Sequence, residues 1–387
     1  MPLIRKLIPL YLGAIVGPMG GFGMVPLIPV LASTWSIEFA TAALSITVYM
    51  VPFIVFQIFS GAVAQIFDVR KTLLAGFAVY TAGALLTALA AGFPSFVLAR
   101  ILQGVGAAFL SPIIMALIGE LVPARHLGKA MGALGLAYTI GVSMGPLISG
   151  FLEVRLGWSG FFYFLAVTAA LAAALFWAWC RDMGSAKPGR HSLIEIFPLI
   201  GQAFRSPGLL YLSFGAFCLF LAYIGVLTFT ADYLKTFVRL PSDEVGLLLS
   251  LTGFSGIPVS PVAGYLGDRF SRPAVFFGGM VLVLAALGLM AVWDYDRLRY
   301  AALFLLLGTG SAAAWTSLNT LAVQSSSTLR NAVTSLYNVI KFSGYAFAPV
   351  ILAIFYGNGS LRAIQVACMV AAVLSILLVF RAKHTQP

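Results

Sequence analysis

Twelve runs of mainly apolar residues, each about as long as a bilayer is thick, constrain this chain more than any other feature. A hydrocarbon core about 30 Å thick takes about 20 helical residues. Runs of that kind lie near 8–31, 40–63, 72–92, 96–119, 129–151, 159–180, 207–231, 243–265, 273–292, 299–323, 331–356 and 360–381. In lipid only backbone that satisfies its own hydrogen bonds is tolerated, so each run is read as a helix. Turn and charge signals punctuate them, among them "FDVRK", "GFPS", "PARHLGK", "DRFSRP" and "YGNGS". Charged residues make up 9% of the chain, against about 25% in soluble domains. The fold class expected is therefore an all-α membrane protein with twelve transmembrane helices.

Orientation follows from where the positive charges fall. With the N-terminus inside, 15 Lys and Arg lie in inward-facing segments and 6 in outward-facing loops, leaving Arg100 and Lys341 within spans. That asymmetry places both termini in the cytoplasm. The net charge of +11 is scattered over short loops, which argues against a nucleic-acid partner. The run after Arg5 and Lys6 is long and followed by eleven more, so it reads as a first span rather than a signal peptide. Three irregularly spaced cysteines at or within apolar runs (Cys180, Cys218, Cys368) read as buried thiols, not a disulfide framework.

The longest polar stretch, 181–206, separates an N-terminal bundle of six helices (1–180) from a C-terminal bundle of six (207–387). The halves look like copies in a register of 203. Gly141 and Pro146 of the fifth span match Gly344 and Pro349 of the eleventh, and "GAVAQIFDVRK" at 61–71 matches "GYLGDRFSRP" from 264. In the second copy Asp268 and Arg269 follow the glycine; in the first, Gln65 and Ile66 stand there and an aspartate comes three places on, at Asp68. Two parallel repeats around a midplane site are the architecture of alternating-access carriers.

Several motifs resemble the major facilitator superfamily, specifically its twelve-helix drug:proton antiporter group. Loops 2–3 and 8–9 of that family carry Gly-x-Leu-x-Asp-Arg-x-Gly-Arg-Arg, which Gly264, Asp268, Arg269 and Arg272 follow well and Gly61, Asp68 and Arg70 follow less well. "RILQGVGAA" (100–108) matches the group's fourth-helix motif. "GVSMGPLISG", with Gly141, Gly145, Pro146 and Gly150, matches its fifth-helix motif, and "VPLIP" resembles the end of its first helix. The resemblance spans essentially the whole chain. It implies two pseudo-symmetric six-helix bundles and export in exchange for protons, with the two loops bracing the cytoplasmic side. An asymmetric latch is expected, with Asp268 reaching toward the start of the fifth helix and its counterpart in the first half weakened.

The residues supply their own reasons. Gly141, Gly145 and Ser149 recur every four positions, so one face of that helix lacks bulk and can approach a neighbour closely. Pro146 removes an intrahelical bond. Arg100, early in the fourth span, and Lys341, near mid-depth of the eleventh, are costly in lipid and should face a cavity or a partner; Gln103 lies nearly one turn from Arg100. No acidic residue falls deep within a span. Asp232, at the outer end of the seventh, is the nearest candidate for coupling, and its bland reading is a solvated helix end beside Lys235. Tyr49, Gln57, Tyr138, Tyr223, Trp315, Asn319 and Asn338 complete a plausible polar and aromatic cavity.

"GVG" at 104–106 and "GTG" at 308–310 lie inside apolar spans with no strand before them, so neither reads as a phosphate loop. The histidines and cysteines show no metal-ligand spacing, and no nucleophilic triad appears. The expectation is a monomeric carrier in the cell membrane, not an enzyme, with no cofactor. It would export lipophilic or amphipathic small molecules against protons. The alternative is a facilitator or differently coupled carrier of an anionic metabolite drawn by Lys341 and Arg100.

Overall fold

In the computed structural model the described residues are 3–181, 201–202, 204–325, 330–356 and 360–385. Most of the expected connector, 182–200 and 203, lies outside them. Twelve helical segments are long and apolar enough to cross a membrane. The chain divides into two compact units, Met1–Leu193 and Ile194–Pro387.

The first unit holds α1 (Leu3–Phe22), α2 (Ile28–Thr34), α3 (Phe39–Phe67), α4 (Val69–Ala88), α5 (Phe93–Leu121), α6 (Ala124–Leu156) and α7 (Trp158–Trp179). The second holds α8 (Pro207–Asp232), a π-helical turn (Tyr233–Phe237), α9 (Ser242–Arg269), α10 (Arg272–Val292), α11 (Arg297–Gln324), α12 (Arg330–Ala353) and α13 (Leu361–Thr385). Several helices run past the apolar limits read from the sequence. The 33 residues of α6 reach about 50 Å at 1.5 Å per residue, because a helix need not stop where the hydrocarbon does.

The first span departs from an unbroken rod. It is α1 and α2 joined by a 3₁₀ turn, Val25–Leu27. Gly20, Gly21 and Gly23 weaken the helix there, and Pro26 and Pro29 bring no N–H to continue it.

Each unit repeats one packing scheme. In the first, α5 lies on α3 and α4, while α1 lies on α6 and α7. In the second, α11 lies on α9 and α10, while α8 lies on α12 and α13. Glycines set the closest approaches. A Cβ at Gly104 would come under 3.0 Å from the Tyr49 carbonyl oxygen on α3, and one at Gly308 equally near the Thr252 carbonyl on α9. Gly106 stands in the same relation to the Tyr80 backbone nitrogen on α4, and Gly310 to the Gly279 carbonyl on α10. The GVG and GTG triplets are thus contact points where helix backbones touch. Gly141 meets the Ile15 carbonyl on α1, and Gly344 the Phe217 carbonyl on α8. The small face of α6 therefore packs on α1, where Gly145 also sits against Gly23 and Met19. All three cysteines are unpaired thiols.

Candidate functional site

Three charged side chains among the described residues are buried: Arg100, Lys341 and Asp232. They mark where chemistry interrupts the apolar interior of each unit.

Arg100 is fully buried on α5. Its Nη1 donates to Gln103 Oε1 at 2.6 Å and to the Gly20 carbonyl at 3.4 Å. The guanidinium lies 4.2 Å from the Tyr49 ring centroid and 5.7 Å from that of Phe162. Gly20 is in the last turn of α1, where carbonyls lose their intrahelical partners and the helix dipole favours a cation. Tyr49 donates to the Gly17 carbonyl at 3.1 Å, and Tyr80 to the Val16 carbonyl at 3.0 Å. Arg100, Tyr49 and Tyr80 thus converge on the carbonyls of α1, beside the break in the first span, and Gln103 braces Arg100. Above them Trp35, Phe96, Trp158 and Phe162 interlock edge to face, with centroids 5.2 to 5.9 Å apart for Trp35–Trp158, Trp35–Phe96, Phe96–Phe162 and Phe96–Trp158. Tyr80 escaped the sequence reading; nothing in its apolar run distinguishes it from the other tyrosines.

Lys341 is buried on α12. Its Nζ donates to Asn338 Oδ1 at 2.8 Å and Asn319 Oδ1 at 3.4 Å. Three aromatic rings surround it, Phe342 at 4.4 Å, Tyr337 at 5.1 Å and Phe220 at 5.7 Å. The Trp315 ring lies 5.8 Å from Phe220, tilted, and 5.7 Å from Tyr223, edge to face, and the Tyr223 hydroxyl donates to Thr252 Oγ1 at 2.9 Å. Five expected residues, Lys341, Asn338, Asn319, Trp315 and Tyr223, therefore form one cluster within the second unit. Asn319 is exposed at its edge. Phe220, Tyr337 and Phe342 were missed, because one aromatic among 31 phenylalanines and 14 tyrosines carries no signal of its own. Tyr138, the register partner of Lys341, is half-buried on α6 and donates to the Ser111 carbonyl at 3.3 Å. Gln57 is half-buried on α3, about two turns along from Tyr49.

Asp232 ends α8, and it is buried rather than solvated. Lys235 turns away to donate to Ser242 Oγ at 2.7 Å.

The two loops of the repeat have different local tasks. Asp68 is the N-cap of α4, accepting from the Arg70 and Lys71 backbone N–H groups at 2.8 and 3.1 Å. In the register of 203 its counterpart is Ser271, which caps α10 by accepting from Ala274 N–H at 3.2 Å. The aspartate three places on is thus the cap of the repeat. The counterpart of Asp268 is Gln65, whose side chain, like the surroundings of Gly61, lies outside the described residues. Asp268 pairs with Arg272 across one turn and is largely exposed. Arg269 donates to the Tyr265 hydroxyl at 3.3 Å, and nothing lies within 4 Å of a Cβ placed on Gly264. Arg70 donates to the Trp177 and Arg181 carbonyls at 3.4 Å, closing the end of α7. Pro146 and Gly150 are buried in α6.

Asp68 holds its cap with φ at +89°, a region that L residues other than Asn and Asp rarely enter. Asp68→Ala should lose about 1 kcal/mol through the cap alone, whereas Asp68→Asn keeps an acceptor and Asp68→Gly relieves the backbone. Thermal unfolding in detergent is expected to rank Ala lowest, with Gly and Asn near wild type; Ala as stable as Asn would contradict the capping role.

A family model described as the Major Facilitator Superfamily matches residues 10–238 and 212–387. The chain is 27% identical to the uncharacterized MFS-type transporter YwfA of Bacillus subtilis (strain 168), covering 90% of this chain and 82% of that one. It is 24% identical to the bacillibactin exporter of the same organism, over 99% and 98% of the two chains. It is 28% identical to a multidrug resistance protein B homolog of Mycobacterium tuberculosis (strain CDC 1551 / Oshkosh), over 46% of this chain and 32% of that one. Its fold is similar to that of a POT family transporter crystallised with 5-aminolevulinic acid, with a TM-score of 0.79 at 13% identity, covering 99% and 97% of the chains.

Proposed function

The chain belongs to the Major Facilitator Superfamily, and we propose that it exports lipophilic or amphipathic small molecules across the cell membrane in exchange for protons. It works as a monomer with both termini in the cytoplasm. One observation carries the substrate class: the Lys341 cluster offers aromatic faces from Phe220, Trp315, Tyr337 and Phe342 and few directional polar groups. Such a surface holds ligands by area and polarisability rather than by a fixed hydrogen-bond pattern. Two relatives, the bacillibactin exporter and the multidrug resistance protein B homolog, support the direction.

A second reading, a carrier of anions, is favoured by Lys341 itself. Among the described residues its partners are two amide oxygens and π faces, with no carboxylate, so its charge is left for a ligand to neutralise. Arg100 lends this reading less support, because it is spent on Gly20, Gln103 and Tyr49.

One experiment separates the two readings. Proteoliposomes carrying wild type or Lys341→Ala are given an imposed pH gradient and loaded with Nile red, ethidium or anilinonaphthalene sulfonate as neutral, cationic and anionic probes. Export reads as gradient-driven movement of at least one probe, abolished by a protonophore. Movement indifferent to the gradient overturns it. The anion reading requires Lys341→Ala to lose the sulfonate and spare the neutral probe; equal losses reject it.

A further inference from the structure

Asp232 is the one carboxylate among the three buried charges of the described residues. Its Oδ2 accepts from the Tyr356 hydroxyl at 2.6 Å and its Oδ1 from Thr236 Oγ1 at 2.9 Å. Among the described residues no basic side chain pairs with it. A buried carboxylate without a cation is costly, and protonation removes that cost. The two partners suit both states. A hydroxyl donates to a carboxylate, and with its own hydrogen turned elsewhere it accepts from a carboxylic acid; an arginine or lysine in the same place would fix the charged form.

The groups on the surrounding elements leave this carboxyl to its two hydroxyls. On the π-helical turn Tyr233 stacks on Phe237, and Lys235 is committed to Ser242. On α9 Asp243 bonds the Glu244 backbone N–H and Glu244 faces Arg297 at 3.9 Å. On α11 Tyr300 meets Tyr295 and Phe304 edge to face while Arg299 is exposed. On α13 Arg362 is exposed, and Cys368 lies deeper, by Gly225. From the end of α12 comes Tyr356. Burial, and next the Asp232 carboxylate beside it, push the Tyr356 phenol up, so it stays a donor.

The site also sits on the right helices. Tyr356 lies three residues past the end of α12, and its ring is tilted against that of Phe229 of α8, with centroids 4.7 Å apart. The same two helices meet at Gly225 with Leu352 and at Gly344 with Phe217, and one turn before Gly344 Lys341 of α12 lies over Phe220 of α8. The helix turn beyond Asp232 is π-helical, a distortion that recurs at functional sites.

We propose that Asp232 is a proton-binding site of this transporter, held by Tyr356 and Thr236 and linked to the Lys341 cluster through the α8–α12 pair. The step adds one proton from water to a carboxylate oxygen and cancels one negative charge; no electron moves. Protonation alters the tie between α8 and the end of α12, and with it the seating of Lys341 at the other end of the same interface. The assignment rests on the proton-exchange reading above.

The test needs no transported substrate. Infrared difference spectra of the full-length protein in vesicles are recorded as pH is lowered, for wild type, Asp232→Asn, Tyr356→Phe and Thr236→Val, each checked for monodispersity. Wild type is expected to show the C=O stretch of a buried carboxylic acid. Asp232→Asn removes it, and Tyr356→Phe, lacking one hydrogen bond, moves it to higher frequency. In proteoliposomes Asp232→Asn abolishes gradient-driven movement of the probe that wild type exports, while exchange of that probe without a gradient continues. A band that survives Asp232→Asn, or is unmoved by Tyr356→Phe and Thr236→Val, overturns the assignment and leaves the export reading standing. Gradient-driven movement that survives in Asp232→Asn does the same. If wild type moves no probe with the gradient, the export reading fails instead, and the infrared band still reports on Asp232.

Discussion

Gly104→Ala and Gly308→Ala are each expected to destabilise the protein by about 3 kcal/mol, at the upper end of what overpacking one methyl does. In an isolated helix the same change would stabilise by about 0.5–1 kcal/mol, so the sign depends wholly on the neighbour. At both positions that neighbour is a backbone carbonyl, Tyr49 on α3 and Thr252 on α9, and a Cβ would lie under 3.0 Å from it. A side chain can change rotamer, whereas a carbonyl in a helix moves only if the helix moves. Each substitution must therefore part α5 from α3, or α11 from α9, and forfeit contacts along the interface. Gly132→Ala in α6 and Gly278→Ala in α10 are the controls, since a Cβ there meets nothing within 4 Å. Thermal unfolding of detergent-purified protein should place the two controls at or above wild type and the two contact-point variants far below. Gly104→Ala as stable as Gly132→Ala would refute the close-approach account.

The second large effect belongs to Arg100. Arg100→Ala is expected to lose about 4 kcal/mol, by emptying the volume of a fully buried side chain and leaving buried acceptors short of a donor. The acceptors are the Gly20 carbonyl and Gln103 Oε1. Arg100→Lys keeps the charge but not the plane that lies on Tyr49, so it should recover only part of the loss. The measurement is stability without any ligand, which a purely substrate-facing arginine would leave unchanged. Full stability in Arg100→Ala, together with lost binding of the sulfonate probe, would return Arg100 to a cavity role.

What the sequence made legible was whatever a single span or loop encodes. Bilayer thickness sets the number and length of the helices, so the twelve crossings were readable. The glycines and prolines at 20–29 carry the break in the first span, though one long apolar run hides it. Depth in a span exposed Arg100 and Lys341 as unusual, and the four expected residues around Lys341 were singled out by helix number and polarity. Partners distant in sequence were not legible. Asp232 and Tyr356 are 124 residues apart, and nothing local in "FYGNGS" marks a tyrosine that reaches a carboxylate. The capping role of Asp68 was hidden for a related reason: the motif sets it three places past the register position of Asp268, while its hydrogen bonds match it to Ser271. Both are short polar residues at the start of a helix, and capping chemistry could have suggested the pairing.

The two glycine triplets also say something about how such a chain tolerates changes of length. Gly76 and Gly104 are 28 residues apart, whereas their counterparts Gly279 and Gly308 are 29 apart, and the halves are back in step by Gly141 and Gly344. One residue more in a helix turns everything beyond it by about 100°, which would swing Gly308 away from Thr252. Gly308 nonetheless meets Thr252 as Gly104 meets Tyr49, so the extra residue was absorbed without turning the fourth helix of the unit. Matching the halves by counting positions aligns Gly104 with Leu307; matching them by what each residue touches aligns it with Gly308. In a protein built from two copies, it is the touching backbones that keep the register, and the ruler of sequence slips around them.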